Sequence, residues 1–166
     1  MNIYFSTGDL IYIKNKSNDE FHFCFVYKNE NNDINLIYMN DNNIIIDNLD
    51  NVFKKNNNNI YTIYYKKLMS KINTYSILED ILFFITKNNL NIEPIDWLKA
   101  ELNTAYGNNI LKIKDKNFWN NILIAYICFK LNLLAKINFN ELYDHKFFEN
   151  KKFLNYNYWI KDIFLI

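Results

Sequence analysis

The most apolar stretch of the chain, residues 118–134, reads FWNNILIAYICFKLNLL. Its apolar residues fall on two faces with the spacing of successive helical turns, and the polar interruptions are Asn120, Asn121, Lys130 and Asn132. A helix that is apolar nearly all round is normally buried inside its domain, and Asn tolerates the left-handed conformation that ends many helices. The pattern predicts a central buried helix with Asn120 and Asn121 in its first turn and Asn132 at its end.

The first part of the chain predicts strands, from about residue 8 to residue 66. Residues 21–28, FHFCFVYK, are aromatic and β-branched, and shorter apolar runs bounded by Asn, Asp and Gly follow the same pattern. Short strands joined by short loops favour an antiparallel sheet. Residues 49–55 are expected to form one or two helical turns. The strands are expected at residues 10–14, 21–28, 34–39, 44–46 and 60–66.

Helical patterns follow, from about residue 76 to residue 134. Ser76 and Glu79 have the spacing of a capping box, and the helix that they begin is expected to reach about residue 87. Pro94 suits the first turn of another helix, which is expected to continue to about Leu102.

The order of these elements, sheet first and helices second, predicts an α+β fold. We expect a single domain over residues 1–166, in which the antiparallel sheet packs on the central buried helix. The tail, residues 135–166, alternates aromatic and charged side chains and is expected to wrap the surface.

Composition supports a folded domain, because 50% of the 166 residues are hydrophobic and 18% are aromatic. The longest apolar runs are too short to predict a transmembrane segment, and the beginning of the chain lacks the basic and apolar regions of a secretory signal. The two cysteines, Cys24 and Cys128, lie in apolar segments and favour a reduced compartment. The sequence therefore predicts a cytoplasmic protein that is not secreted.

Charge and residue types argue against several classes of function. The net charge is +1 and all 19 basic residues are lysines, so nucleic-acid binding is not expected. With only Gly8 and Gly107, the chain has no glycine-rich phosphate loop. Neither His22 nor His145 has the spacing of a metal ligand relative to the other or to a cysteine, so no metal and no cofactor are predicted.

Several short motifs occur in a characteristic order: Gly8-Asp9 before a strand, His22 opening the next strand, and Tyr106-Gly107 before the apolar helix. The matching stretches are TGDLIYI, HFCFVY, LIYM, LDNVF, AYG and NNILIAYICFKLNLL. Their order resembles that of the circularly permuted branch of the NlpC-type papain-like cysteine hydrolases, including its poxviral members.

The resemblance covers about residues 6–66 and 105–134. It implies a permuted papain-like fold, the NlpC-type arrangement, and a viral protein of the host cytoplasm or the virion.

In that family a cysteine thiolate begins the helix, a strand histidine takes its proton, and a third polar residue orients the histidine. The resemblance places His22 at the base position and Asn120 at the cysteine position, or Asn121 if the register shifts by one. The third position falls on Tyr38 or Met39. We expect His22 and Asn120 to face each other across a groove.

An amide is not a nucleophile, so the resemblance implies a catalytically degenerate hydrolase homologue. Such a homologue would be retained to bind an acyl, peptide or lipid-like ligand, or a protein partner.

The alternative is an active cysteine hydrolase or acyltransferase that cleaves or transfers an acyl, peptide or lipid amide or ester with His22 and a displaced thiol. Cys24 is two residues from His22, which in a strand places both on one face with their Cα atoms ~6.5 Å apart. Cys128 lies ~12 Å along the helix from Asn120 and is expected to be a buried core thiol. A buried core position is also the ordinary interpretation of Cys24.

Overall fold

The computed structural model describes residues 4–15, 21–55, 61–66, 68, 76, 78–79, 82–83, 93–106, 110–133 and 163–165. The fold is α+β, as the sequence predicts, with these strands: β1 (Leu10–Asn15), β2 (Phe21–Lys28), β3 (Ile34–Asn40), β4 (Asn43–Asn48), β5 (Tyr61–Lys66) and β6 (Ile163–Leu165). They form one six-stranded sheet in the order β4-β3-β2-β1-β5-β6. Every neighbouring pair is antiparallel, which confirms the predicted sheet type.

Three helices have described boundaries: α1 (Leu49–Lys55), α2 (Pro94–Tyr106) and α3 (Trp119–Lys130). Two short 3-10 turns, Ile110–Lys112 and Lys116–Phe118, connect α2 to α3. Helix α1 has the predicted bounds, whereas α2 continues four residues beyond the predicted Leu102.

The helix predicted from residue 76 is described only in part. Ser76, Leu78, Glu79, Leu82 and Phe83 are helical, and the other positions up to 87 lie outside the described residues. Leu78 and Leu82 are one helical turn apart and both are buried in the main core. Searched over the described residues, no helix combines the length and apolar character needed to cross a membrane.

The tail contributes a strand that the sequence analysis did not predict. Residues 163–165 pair with β5 at the edge of the sheet, so residues 60–66 are not the last strand. Three apolar residues are too short a run for period-two alternation to be visible, and only the pairing with β5 makes them a strand. Residues 134–162 and 166 lie outside the described residues, so the expected surface path of the tail stays a prediction.

The sheet buries both of its faces, because alternate residues of its strands enter two separate clusters. The α3-side cluster receives Phe23, Phe25 and Tyr27 of β2 together with most of α3. The α1-side cluster receives Cys24 and Val26 of β2, and Leu49 and Val52 of α1. A residue's position in a strand therefore decides which of the two helices it faces.

Helix α3 is the central buried helix that the sequence predicts. Residues 121–128 are all buried, and α3 packs on β2, β3 and α2. It ends as expected: Asn132 adopts a left-handed φ of 55°, and Leu133 N–H donates to the Cys128 carbonyl over 2.8 Å. The central element of the fold was thus visible in the hydrophobic pattern alone.

Replacing Ile122 by alanine is expected to lower the free energy of unfolding by ~2–5 kcal/mol, because the side chain is fully buried where α3 meets the sheet. Urea denaturation followed by circular dichroism measures the loss. Leu111→Ala is the control: Leu111 is 52% exposed, and its truncation should cost no more than ~0.5 kcal/mol. Equal losses for the two variants would contradict the buried position of α3.

Candidate functional site

The Gly8-Asp9 pair ties the start of β1 to two other parts of the chain. Gly8 has a φ of 100°, and a Cβ there would lie 2.2 Å from Leu68 Cδ2. The buried Asp9 carboxylate accepts hydrogen bonds from Ser6 N–H (2.7 Å) and Leu68 N–H (2.8 Å). Backbone bonds join Gly8 and Asp9 to Val26 of β2. In this chain the Gly8-Asp9 motif therefore has a structural role: it fixes the start of β1 against β2 and Leu68.

Asn120 lies in the first turn of α3, as predicted, and its amide is bound to the backbone of β3. Met39 N–H donates to Asn120 Oδ1 over 2.6 Å, and Asn120 Nδ2 donates to the Met39 carbonyl over 3.4 Å. An asparagine side chain carries one acceptor and two donors, so it can satisfy both polar backbone groups of one residue, as a neighbouring strand would. A cysteine at this position would offer no equivalent pair.

Met39 needs this partner because β2 and β3 separate at one end. Their pairing runs from Lys28↔Ile34 only as far as Phe25↔Ile37, although both strands continue. Among the described strands, residues 21–24 of β2 pair with β1 alone. We call the opening between residues 21–24 and residues 38–40 the β2–β3 fork. The amide of Asn120 closes the β3 side of this fork.

The other positions of the resemblance are distributed over both faces of the sheet. Met39 faces α3, whereas Tyr38 is half-buried against the α1-side cluster. The backbone of His22 pairs with Ile13 of β1, whose side chain belongs to the α1-side cluster. In the register of the strand, position 22 therefore lies on the α1 side of the sheet, away from the start of α3. The side chain of His22 itself lies outside the described part of the structure, so its expected approach to Asn120 stays a prediction. Of the two candidates for the third position, Met39 binds Asn120 through its backbone N–H and C=O groups.

Both thiols are buried, which is the opposite of what an activated nucleophile requires. Burial raises the pKa of the Cys24 thiol from 9.0 to about 12. Burial also raises the pKa of Cys128. Cys24 lies in the α1-side cluster, on the other face of the sheet from the start of α3. Neither thiol is therefore ionised near neutral pH.

A group of side chains beside Asn120 was missed by the sequence analysis. Trp119, the first residue of α3, is buried, and two ammonium groups lie near the centroid of its ring: Lys99 Nζ at 5.8 Å and Lys116 Nζ at 5.4 Å. We call these three residues the Trp119 cluster. One signal was present in the sequence, because Lys99 follows the buried Ile95 by four positions and shares its helical face.

Comparison with known proteins identifies no relative: no family model, curated protein or solved structure matches the chain. Among the described residues, no three His, Cys, Asp or Glu side chains are grouped so that they could hold a metal ion. The interpretation of the site therefore depends on the residues at the start of α3.

Proposed function

We propose that this chain is a catalytically degenerate homologue of the permuted NlpC-type papain-like hydrolases, of viral origin. In this proposal it acts in the host cytoplasm or the virion, and it binds an acyl, peptide or lipid-like ligand, or a protein partner, at the start of α3. The α+β fold and the central buried helix are compatible with this relationship. The support specific to the site comes from Asn120.

The observation that carries the proposal is the use of the Asn120 amide. Asn120, which the resemblance aligns with the family's cysteine, lies in the first turn of the buried helix α3 and contacts β3. Its side chain is bonded at both ends to Met39, so it stabilises the β2–β3 fork. A side chain with this role explains how the nucleophile position can be retained in the fold while its chemistry is lost.

The thiols give no support to the alternative of an active enzyme. A cysteine nucleophile reacts as its thiolate, and proteins activate it by lowering its pKa. Burial has the reverse effect on Cys24 and Cys128. Cys24 is also separated by the sheet from the α3-side cluster, which contains Met39, the partner of Asn120.

The variant Asn120→Cys tests whether the start of α3 corresponds to the nucleophile position of a papain-like hydrolase. We expect the new thiol to have a pKa below the ordinary value of ~8.5, because it would lie at a helix N-terminus and, if the resemblance is correct, near His22. The measurement is the rate of alkylation by iodoacetamide against pH. The two native thiols are buried and contribute little below pH ~9. Adding His22→Ala should move the pKa of the new thiol back toward its ordinary value.

Two controls make this result interpretable. Leu111→Cys provides a reference thiol at an exposed position outside α3. Asn120→Ser measures the stability lost with the two bonds to Met39, roughly 1–3 kcal/mol. If the thiol at position 120 titrates like the reference and His22→Ala has no effect, the relationship to papain-like hydrolases is wrong. If the unmodified protein hydrolyses an acyl ester and Cys24→Ala abolishes this activity, the chain is an enzyme.

A further inference from the structure

Lys99 is a charged side chain in a buried position. The residue is only 6% exposed, although lysine is among the residue types least often buried. Its ammonium group lies 3.6 Å from Asp96 Oδ1, a separation longer than a direct N–H···O hydrogen bond of about 2.7–3.2 Å. The side chain of Asp96 is 63% exposed and therefore largely solvated. The ammonium retains donor capacity that this ion pair does not use.

Next to Lys99, the indole N–H group of Trp119 is a second donor with unused hydrogen-bonding capacity. Trp119 is 8% exposed, and its Nε1 atom is buried. Within the described part of the chain, no acceptor lies within hydrogen-bonding distance of this N–H group. A buried donor without a partner is costly, and buried tryptophans usually find one. Nε1 is part of the Trp119 ring, and the ammonium groups of Lys99 and Lys116 lie 5.8 and 5.4 Å from the centroid of that ring. The three donor groups therefore lie in one region of the protein.

We infer that the Trp119 cluster binds an anionic group with at least two oxygens, a carboxylate or a phosphate. One oxygen would accept from Trp119 Nε1 and the charge would be balanced by Lys99. A water molecule or a neutral carbonyl would satisfy the indole but would add no charge next to the buried ammonium. An anion meets both requirements, and hydrogen bonds between charged groups and buried donors are the stronger kind.

Lys116 supplies the outer part of this site. Its side chain is 63% exposed, so it can move aside to admit a ligand and then contribute a second positive charge. Its present ion-pair partner, Asp41 of the β3–β4 turn, is 76% exposed at a distance of 3.6 Å. Exposed pairs of this type contribute little to stability, so an incoming anion can replace Asp41 at small cost.

This inference rests on the proposed function in one respect, since it names the class of ligand held at the start of α3. The proposed function and the anion-binding inference are tested by different experiments, so either can be wrong without the other. The Asn120→Cys experiment leaves the indole N–H of Trp119 in place, and anion binding by Trp119 and Lys99 needs neither His22 nor a thiol.

The test is a titration of the 15N-labelled protein, followed by the indole N–H signals of its tryptophans. The signal of Trp119 is assigned by its loss in Trp119→Phe, which keeps an aromatic ring and removes the donor. Inorganic phosphate and octanoate are added separately at constant ionic strength, with chloride as the reference anion. We expect a saturable shift of the Trp119 signal with phosphate or with octanoate, and the probe that produces it identifies the type of anion.

Lys99→Met should weaken this binding by about tenfold or more, because it removes the charge from the contact while keeping an unbranched side chain of similar length. Lys130→Met is the matched control: Lys130 Nζ lies 5.4 Å from the Tyr126 ring centroid and 3.4 Å from Glu101 Oε2, near the other end of α3. This control variant should bind as the unmodified protein does. The inference is overturned if neither probe gives a saturable shift, or if Lys99→Met leaves the affinity unchanged.

Discussion

Replacing Asp9 by alanine should lower the free energy of unfolding by roughly 2–6 kcal/mol, among the largest losses for a single polar side chain. The buried carboxylate accepts two backbone N–H groups, those of Ser6 and Leu68. Each donor left without a partner inside the protein costs about 1–3 kcal/mol. Urea denaturation gives the change, and a folded baseline at low urea shows whether the variant still reaches its native state.

Two further substitutions separate the causes of this loss. Asp9→Asn keeps the shape of the side chain but offers one acceptor oxygen for two donors, so an intermediate loss is expected. Asp33→Ala is the matched control, because Asp33 is an exposed aspartate that also accepts a hydrogen bond, from Asn29 Nδ2. If Asp9→Ala and Asp33→Ala destabilise equally, the Gly8-Asp9 loop does not hold the start of β1 as described.

The Cys24 thiol is expected to react about a thousandfold more slowly in the native protein at pH 8 than in the denatured chain. Its pKa is raised from 9.0 to about 12 by burial, and each pH unit of this shift lowers the thiolate fraction tenfold. Iodoacetamide labelling with and without urea, resolved by peptide mass, measures the ratio. A native Cys24 that is labelled at a rate similar to the denatured one would revive the alternative of a displaced nucleophile.

The same shift makes stability depend on pH in a defined direction. Above pH 9 the denatured chain releases the Cys24 proton while the folded protein still holds it, so ionisation favours the unfolded state. The contribution is fully present below pH 9 and is lost progressively between pH 9 and about 12, by up to ~1.4 kcal/mol per pH unit. Cys24→Ala should remove this part of the alkaline loss.

Hydrophobic patterning predicted the elements of the fold because it is a local signal. The bounds of β2 and α1 were predicted correctly, and the burial of α3 was visible as an apolar surface on both of its faces. The end of α3 at Asn132 was visible for the same reason, since it depends on one residue type at one backbone conformation. The short strand β6 was missed, because it exists only through its pairing with β5.

The candidate site was predictable in position and not in its interactions. The resemblance directed attention to Asn120, and Asn120 does lie in the first turn of α3. Its bonds to Met39 join residues 81 positions apart, and they follow from the early end of the β2–β3 pairing, which has no signature in sequence. The burial of Lys99 was likewise not predicted: its spacing from Ile95 places it on a buried helical face, but lysine is normally taken as a surface residue.

The β2–β3 fork also gives the chain an order of assembly. Strands β1 to β5 are synthesised before α3, so for that period the N–H and C=O groups of Met39 lack Asn120 and form an open edge beside β2. Open edges of this kind pair readily with other chains, and partly folded states that expose them are prone to aggregate. Closing the fork requires a contact between distant parts of the chain, which is slow relative to local pairing. The arrival of Asn120 is therefore the event after which the nascent sheet no longer offers this edge to a neighbouring molecule.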